Sequence, residues 1–310
     1  MQGDVKVSVV MTVFNEADNI AALIDALVSG TRRPDEIVIA DGGSTDGTVE
    51  IIEQKMASIP ELKLVKDAGD RSSGRNAAIE AASYDLIAAT DAGGRPRPDW
   101  LGHMAAAFAR GAEWIGGFYE PVSDRAITKA IGLTMVYVRE EAERHFVPSA
   151  RSLGFTRQLW KQVGGFPSGV QFAEDTLFAE RLFALGLQPV FVPEAIVEWY
   201  PPRTLAQQAR TMYKWGHGDG LQGLRGPYYR RLAQGVAASG LLAVLLGLID
   251  LRLVPLGLVP GFAWVARAMR LKFRHMDSPL KWVLIPIAAM NGTLATLAGF
   301  LAGRRERLRS

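Results

Sequence analysis

Short apolar stretches alternate with amphipathic stretches along the first ninety residues. The pattern predicts strands at residues 6–13, 36–40, 62–66 and 86–89, with helices at 19–26, 48–57 and 72–82 between or after them. Such alternation predicts βαβ units and a mainly parallel, Rossmann-like α/β sheet. Ligands of these sheets bind beyond the carboxyl ends of the strands, so the residues at those ends are the first candidates for function.

The middle of the chain has a less regular pattern. Residues 114–120 and 152–156 have strand-like sequences, and residues 189–192 predict a further short strand. One long helix is predicted at 126–144, and another helix begins near Ala173 with apolar residues at helical spacing.

The last eighty residues are mainly apolar. Residues 236–249 and 253–266 carry no charge, and residues 282–302 form a third apolar run. The first two runs reach the length of a membrane span, about 20 residues, only when a few flanking residues are added. We therefore predict a catalytic domain at 1–230 and an α-helical membrane region at 231–310. The latter would contain a helical hairpin at about 233–270 and an interfacial or third helix at about 280–303.

Basic residues flank these apolar runs, at 267–274 and 304–309. Lys and Arg concentrate on the cytoplasmic side of membranes, so a hairpin of two crossings with both clusters on the catalytic side is preferred. The predicted location is the cell inner membrane or plasma membrane, with the catalytic domain in the cytoplasm. The first six residues show no signal-peptide pattern.

Composition narrows the possible chemistry. The net charge is only +3, which gives no support for a nucleic-acid partner. The chain has no cysteine, which excludes disulfides, thiolate nucleophiles and Cys-ligated zinc.

Carboxylates follow two of the predicted strands. Asp41 begins the turn Asp-Gly-Gly-Ser-Thr-Asp, and Asp91 begins Asp-Ala-Gly-Gly. Each suits ligand binding, but each also suits a simple strand-end turn, with Asp41 forming an Asx turn that caps the next helix. Both interpretations stay open for each residue taken alone.

Two further groups carry charge at predicted helix starts. Glu174 and Asp175 form an acidic pair that fits a general base, or an N-cap that favours the helix dipole. Arg75 follows Gly74 at the start of the 72–82 helix, where a guanidinium suits phosphate; a solvated surface arginine is the alternative.

Taken in order, these motifs resemble those of glycosyltransferase family 2, over roughly residues 5–220. The matching segments are Val9–Glu16, Asp41–Thr48, Gly74–Asn76, Thr90–Gly93, Val163–Phe166 and Glu174–Asp175. The resemblance implies the GT-A fold and an inverting transfer of a sugar from a nucleoside diphosphate sugar to a hydroxyl of a lipid-linked or saccharide acceptor. Membrane lipids are the other expected partners.

The resemblance also implies residue roles. Asp41 would hold the nucleobase, and Thr12, Asn15 and Glu16 would line the nucleotide pocket. Arg75 would bind phosphate, and Asp91 would bind the metal and contact the diphosphate. Asp175 would be the general base, supported by Glu174.

Two positions depart from the family pattern. The family usually has a second acidic residue two positions after the first, where this chain has Gly93. A Mg or Mn ion would then rely on Asp91, on phosphates and water, and on Glu198 as a compensating ligand; a surface or strand-edge glutamate is the alternative interpretation. The processive synthases of the family carry Gln-x-x-Arg-Trp, and the nearest match here ends in Lys214 and Trp215. Lys214 would contact phosphate and Trp215 the acceptor sugar; an interfacial helix with an aromatic anchor is the alternative interpretation.

Two other functions are alternatives to sugar transfer. A nucleotidyltransferase normally needs a glycine-rich loop after the first strand, and residues 14–18 contain no glycine. A membrane-attached scaffold or regulatory protein with a degenerate GT-A domain is favoured by Gly93 but disfavoured by the retained Asp41, Asp91, Arg75 and Asp175.

Overall fold

The structure is a computed structural model that describes residues 5–144, 146–170 and 172–309. The chain forms two compact units. The first comprises Met1–Glu120 and Glu141–Tyr200, and the second comprises Pro121–Glu140 and Pro201–Ser310. The predicted boundary near residue 230 concerns a different division, that between a catalytic domain and a membrane region. It stays a prediction.

The first unit is built around an eight-stranded sheet. Its strands are β1 (Val7–Val13), β2 (Glu36–Asp41), β3 (Leu62–Lys66), β4 (Leu86–Ala89), β5 (Gly94–Pro96), β6 (Trp114–Pro121), β7 (Leu153–Thr156) and β8 (Val190–Trp199). Its helices are α1 (Ile20–Val28), α2 (Thr48–Met56), α3 (Arg71–Ala81), α4 (Trp100–Ala109), α7 (Arg157–Gln162) and α8 (Glu174–Ala184). Between β6 and β7 the chain also forms α5 (Ala126–Met135), which belongs to the second unit, and the short α6 (Arg139–Ala142).

The strand order is β3-β2-β1-β4-β7-β6-β8-β5. The first four strands pair in parallel, as the βαβ pattern predicts, whereas β7 pairs antiparallel with both β4 and β6, and β5 antiparallel with β8. The α/β class is confirmed, and the sheet is mixed, with the predicted parallel pairing in β3, β2, β1 and β4.

Alternation along the strands divides the core between the two faces of the sheet. Val9 and Met11 of β1 pack with α1 and α4 on one face, and Val10 packs with α3, α7 and α8 on the other. Because side chains of a strand alternate between faces, a strand with buried apolar residues on both faces, such as β1, needs helices on both sides.

Three parts of the middle differ from the prediction. The helix predicted at 126–144 is interrupted, because Val136 is extended and ends α5 before α6 begins. The strand predicted at 189–192 continues to Trp199. Strand β5 and helix α4 had not been predicted.

The second unit is helical. Besides α5 it contains α9 (Leu205–Gln222), α10 (Gly226–Ile249), α11 (Val254–Ala268) and α12 (Lys281–Arg307), with short 3₁₀ turns at Leu251–Leu253 and Lys272–His275. The helices α10 and α11 form a hairpin, in which Gly257 lies against the backbone of Ala243 and Gly261 against Ser239.

Glycines bring the backbones of α9 and α12 into direct contact. A Cβ added at Gly216 would lie 2.1 Å from the carbonyl oxygen of Thr296, and one at Gly303 would lie 2.2 Å from that of His217. Beside this contact, Asn291 Nδ2 donates to the backbone oxygen of Leu205 and to Gln208 Oε1, both at 2.9 Å. Small residues permit such close approach, which is common where helices associate in or near membranes.

Among the residues that the structure describes, three helical segments are long and apolar enough to cross a membrane: Gly226–Ile249, Leu251–Ala268 and Lys281–Arg307. The first two are 11% buried over their most apolar stretch, against 50% for the third. Leu248 and Ile249, near the hairpin tip, are among the most exposed apolar side chains. The α10–α11 hairpin therefore presents a large apolar surface, whereas half of α12 is already covered by protein.

We expect Gly216→Ala to destabilise the second unit. The added methyl would press on backbone atoms of α12 that cannot move independently, and overpacking of this kind costs about 1–3 kcal/mol. Thermal unfolding of the detergent-purified chain should show a lower Tm. Gly235→Ala is the matched control: a Cβ at Gly235 on α10 meets nothing within 4 Å, and Ala is the better helix former by about 1 kcal/mol. Equal Tm values for the two variants would contradict the packing argument.

Candidate active site

The carboxyl ends of β2, β1 and β4 lie side by side. Asp41 is paired with Val13 across β2 and β1, and the backbone N–H of Thr90, just after β4, donates to the carbonyl of Val10 at 3.2 Å. The sheet therefore brings the segments with Asp41, Thr12 and Asp91 to one edge, as the parallel order predicts.

The loops after β1 and β2 are joined by reciprocal hydrogen bonds. The N–H of Asn15 donates to Ser44 Oγ, and Asn15 Oδ1 accepts from the N–H of Thr45, both at 2.9 Å. The N–H of Glu16 donates to Thr48 Oγ1 at 2.8 Å. Asn15 adopts a φ of 55°, a left-handed conformation that asparagine tolerates better than most residues. The predicted residues Asn15 and Glu16 thus lie against the loop that follows Asp41.

Asp41 is buried, and its carboxylate accepts the N–H groups of Gly43 at 2.9 Å and Ser44 at 3.1 Å. This is the Asx turn considered from the sequence. The N–H of Thr48 is instead accepted by Asp46 at 3.1 Å, so Asp41 does not cap α2. The turn holds the Asp41 carboxylate in place at the sheet edge, and its predicted role toward a nucleobase remains a prediction.

Arg75 is a buried residue that joins two acidic segments. It is 2% exposed, and its guanidinium donates to Asp91 Oδ1 at 2.7 Å and to Glu174 Oε1. It also lies over the Phe166 ring, 5.5 Å from the centroid. The surface-arginine alternative is wrong, and so is the expected position at a helix start, because α3 begins at Arg71, four residues earlier.

Glycine allows α3 to approach the sheet at this point. A Cβ at Gly74 would lie 3.0 Å from Thr12 Cγ2, so this position leaves little space for a side chain. The close approach of α3 to β1 puts Gly74 against the predicted pocket residue Thr12. Since Gly74 directly precedes Arg75, Arg75 also lies near this part of β1.

The charges of this cluster shift one another's pKa values. Burial raises the pKa of Asp91, but Arg75, Arg151 and Arg71 outweigh it and hold the pKa below its ordinary value. Burial raises the pKa of Glu174, and the charge of Asp175 adds to this rise, against the opposing charges of Arg75 and Arg71. Burial lowers the pKa of Arg75, but its carboxylate neighbours reverse the effect and raise it above the ordinary value. Arg75 therefore stays charged, and Asp91 stays ionised at neutral pH.

Glu174 and Asp175 begin α8 but occupy different environments. Glu174 is buried against Arg75, whereas Asp175 is partly exposed and accepts the N–H of Ala150 at 3.3 Å through Oδ2. The residue that precedes the helix is Ala173, with a φ of 70°, so neither acid is the N-cap. A non-glycine residue in this region is strained, and such strain concentrates at functional sites.

The turn after Asp91 contains two glycines with different constraints. A Cβ at Gly94 would lie 2.6 Å from Val197 Cγ1, whereas one at Gly93 would meet nothing within 4 Å. Gly93 also lies outside the left-handed region. Neither space nor backbone conformation requires the glycine that replaces the expected acid at position 93.

The predicted metal ligands are both engaged by arginine. Asp91 pairs with Arg75, and Glu198 lies 3.4 Å from Arg97, which also pairs with Glu120 at 2.8 Å. Among the described residues, no group of three or more His, Cys, Asp or Glu could hold a metal ion. The side chain of Asp91 is 35% exposed, so one carboxylate is accessible to a cation that brings further oxygen ligands with it.

Two arginines of the site had not been selected from the sequence. Arg71 stands at the start of α3, is 48% exposed, and lies 3.8 Å from Glu174. It fits the expectation of a phosphate-binding guanidinium at a helix start better than Arg75 does. Arg151 lies over the rings of Tyr119 and Trp199, each 5.0 Å away. Arg71 could have been found by its place after Asp70, but no local pattern marks Arg151.

Lys214 and Trp215 lie on α9 in the second unit. Lys214 is exposed and Trp215 is partly buried. Their predicted roles toward phosphate and acceptor sugar remain predictions.

Two family models cover most of the chain. The model described as Glycosyl transferase family 2 matches residues 8–153, and the one described as Glycosyl transferase family group 2 matches residues 115–297. The chain is similar to the glycosyltransferase AglE of Haloferax volcanii, with 26% identity over 221 residues, 69% of this chain and 72% of the relative. It is also 26% identical to the succinoglycan biosynthesis protein ExoA of Rhizobium meliloti over 315 residues, 94% of this chain and 93% of ExoA.

A solved structure shares the fold. It is the mannosyltransferase PcManGT of Pyrobaculum calidifontis in complex with GDP-Man and Mn²⁺, with a TM-score of 0.57 and 19% identity, covering 98% of this chain and 87% of that one. The predicted GT-A fold class with an α-helical C-terminal region is confirmed.

We expect Arg75→Met to destabilise the first unit strongly. Removal of one partner leaves Glu174 buried without its counterion, which costs about 3–5 kcal/mol. Urea unfolding of the purified chain, followed by tryptophan fluorescence, measures the effect, and adding Glu174→Gln in the same chain should recover part of it. Arg71→Met is the matched control, because the more exposed ion pair at 3.8 Å contributes at most about 1 kcal/mol. Equal losses in the two single variants would show that burial of Arg75 does not matter.

Proposed function

Because the chain belongs to glycosyltransferase family 2, we propose that this enzyme is an inverting, hexosyl-transferring glycosyltransferase. Its donor is a nucleoside diphosphate sugar, and its acceptor is a hydroxyl of a lipid-linked or growing saccharide. The observation that supports this best is the Arg75 cluster, which joins the strand-end carboxylate Asp91 to the acidic start of α8.

The nucleotide would lie over the carboxyl ends of β1 and β2. Asp41 is held by its Asx turn at the edge of the sheet and would accept a hydrogen bond from the base. Thr12, Asn15 and Glu16 would form the sides of the pocket. The reciprocal bonds between the two loops keep this pocket formed before the donor binds, which lowers the ordering cost of binding.

The diphosphate would lie toward α3 and Asp91. Arg71, partly exposed at the start of α3, supplies a guanidinium for the phosphate oxygens. Arg75 holds Asp91 ionised and in a fixed position. A divalent cation fits here only together with the donor, because Asp91 is one carboxylate and the diphosphate must supply other oxygens.

Mg or Mn bound in this way would neutralise charge on the leaving diphosphate. Asp91 would be its main protein ligand. Glu198 is the weaker candidate, since its carboxylate is already paired with Arg97. The related fold of PcManGT was solved with GDP-Man and Mn²⁺, which supports a cation and a nucleotide sugar at this site.

Asp175 is the residue suited to act as general base. Its carboxylate is more accessible than that of Glu174 and is oriented by the N–H of Ala150. The acceptor hydroxyl gives its proton to Asp175 as its oxygen attacks the anomeric carbon. The bond from that carbon to the diphosphate oxygen breaks on the opposite face, so the configuration inverts. Glu174 positions the start of α8 through Arg75.

The acceptor would be a saccharide presented at a membrane surface. ExoA, similar along nearly its whole length, is a succinoglycan biosynthesis protein, which supports polysaccharide biosynthesis here too. Lys214 would contact phosphate, and Trp215 would contact the acceptor sugar.

The membrane attachment would use two crossings, with the catalytic domain on the cytoplasmic side of the inner or plasma membrane. The α10–α11 hairpin is apolar and poorly covered by protein, as a spanning hairpin must be. Helix α12 lies along α9, whose exposed face carries Arg210 and Lys214. Placing α9 in hydrocarbon would cost about 2.5–3.5 kcal/mol for each such charge. The helices α9 and α12 would therefore lie together at the membrane interface.

The alternative is a membrane-attached scaffold with a degenerate catalytic domain. Gly93 is its main support. A decayed site has no need to keep Arg75 buried between two carboxylates, and this cluster favours the enzyme.

We expect Asp175→Asn to lower kcat by about 10²–10⁴-fold, the usual contribution of general-base catalysis. Donor affinity, measured by calorimetry with a nucleotide sugar, should stay within a factor of a few. Glu180→Gln is the matched control, since it removes a charge from the exposed face of the same helix and should leave kcat unchanged. If the cellular function survived in a strain carrying only Asp175→Asn, the chain would act as a scaffold.

We expect Gly93→Asp to fold normally and to tighten Mn²⁺ binding in the presence of a nucleoside diphosphate. The new carboxylate has open space and would stand two residues after Asp91, adding a second hard oxygen ligand. Electron paramagnetic resonance of free Mn²⁺ measures the affinity. Gly94→Asp is the control: it should lower the Tm, because its Cβ would clash with Val197. Identical Mn²⁺ affinity in the parent and Gly93→Asp would argue against a cation at Asp91.

A further inference from the structure

A narrow groove lies in the second unit, between α11, the short turn after it, and the start of α12. Its lining residues are Phe262, Ala266, Arg270, Phe273, Trp282 and Pro286. The volume is about 240 Å³, and the rings of Phe273 and Trp282 stack at 4.7 Å to form one wall. This is below the roughly 300–1,000 Å³ of pockets that enclose a drug-sized ligand, so the groove suits one segment of a longer molecule.

The groove lies at the end of the apolar helix α11, where basic residues follow. Apolar α11 ends at Ala268, and the exposed Arg267, Arg270 and Arg274 lie around that end. Trp282, which is 65% exposed, stands at the start of α12. Tryptophan and basic residues mark the level of lipid headgroups, so the groove would open at the membrane surface and extend along α11 toward the hydrocarbon.

Arg270 is the cation of the groove that remains available. Lys272 Nζ donates to the carbonyl of Val136, and His275 lies 2.9 Å from Glu140. The Arg270 guanidinium makes no hydrogen bond or ion pair with any residue that the structure describes. An exposed guanidinium beside an apolar groove complements an anionic phosphate attached to a hydrocarbon chain.

We propose that this groove binds one anionic phospholipid of the bilayer, with its phosphate on Arg270 and part of an acyl chain between Phe262, Ala266 and Pro286. The proposal rests on the proposed membrane attachment but not on the catalytic assignment. A bilayer phospholipid fits better than a lipid-linked saccharide, because Arg270 and the Trp282 indole N–H are the polar side-chain groups of the lining. They are too few to read the hydroxyls of a sugar.

Native mass spectrometry of the full chain, released from nanodiscs of equal parts phosphatidylglycerol and phosphatidylcholine, tests the proposal. The parent chain should retain phosphatidylglycerol in preference to phosphatidylcholine. Arg270→Gln should lower that preference roughly tenfold, the effect of losing one charge-assisted hydrogen bond to the phosphate. Ala266→Trp, which fills the groove and keeps the charge, should lower retention of both lipids. Arg305→Gln removes an exposed charge from the last turns of α12 and should change nothing.

Three outcomes would overturn the proposal: equal retention of the two lipids by the parent chain, equal effects of Arg270→Gln and Arg305→Gln, or preferential retention of a polyisoprenyl phosphate added to the same nanodiscs. Each can occur while the chain still sediments with membranes and transfers sugar, so failure here is separable from failure of the proposed function.

Discussion

The first unit depends on one buried cation. Arg75 reaches Asp91 at the end of β4 and Glu174 at the start of α8, segments that the chain order separates by more than eighty residues. A charge this deep is tolerated only when its partners are held in good geometry, and the carboxylates in turn need the guanidinium. The interaction therefore fixes the distance between the edge of the sheet and the helix that carries Asp175. The same ion pairs therefore stabilise the unit and set the relative positions of Asp91 and Asp175.

The surroundings of Arg75 serve the same constraint. Gly74 lets α3 lie close to β1, the Phe166 ring covers the guanidinium, and Asn76 Nδ2 donates to the Phe166 carbonyl at 2.8 Å. Segments distant in sequence converge on α3 for this reason. The strained Ala173 then turns the chain directly into Glu174 and Asp175. Strain at this point is offset by the ion pair that follows it.

The sequence predicts those parts of the fold in which local pattern and burial agree. The apolar β1 and β4, and the carboxylates at the end of β2 and just after β4, can be predicted because parallel strands repeat one simple pattern. The sequence predicts only the first part of β8, because Pro193 and Glu194 interrupt its apolar run. In the structure, pairing with β5 extends the strand to Trp199. The burial of Arg75 could not be predicted, since its partner Glu174 is 99 residues away. Arg151 likewise depends on rings contributed by two other strands.

The close contact of α9 with α12 has a mechanical consequence. Glycines on both helices face backbone atoms of the partner, so a slide of either helix along the other would bring larger side chains such as Phe300 and Met212 against spaces sized for hydrogen. The two helices must move as one rod. Any tilt of α12 would therefore be transmitted without slippage to Lys214 and Trp215 on α9, so the surface on which α12 rests would set the orientation of the helix that carries these residues.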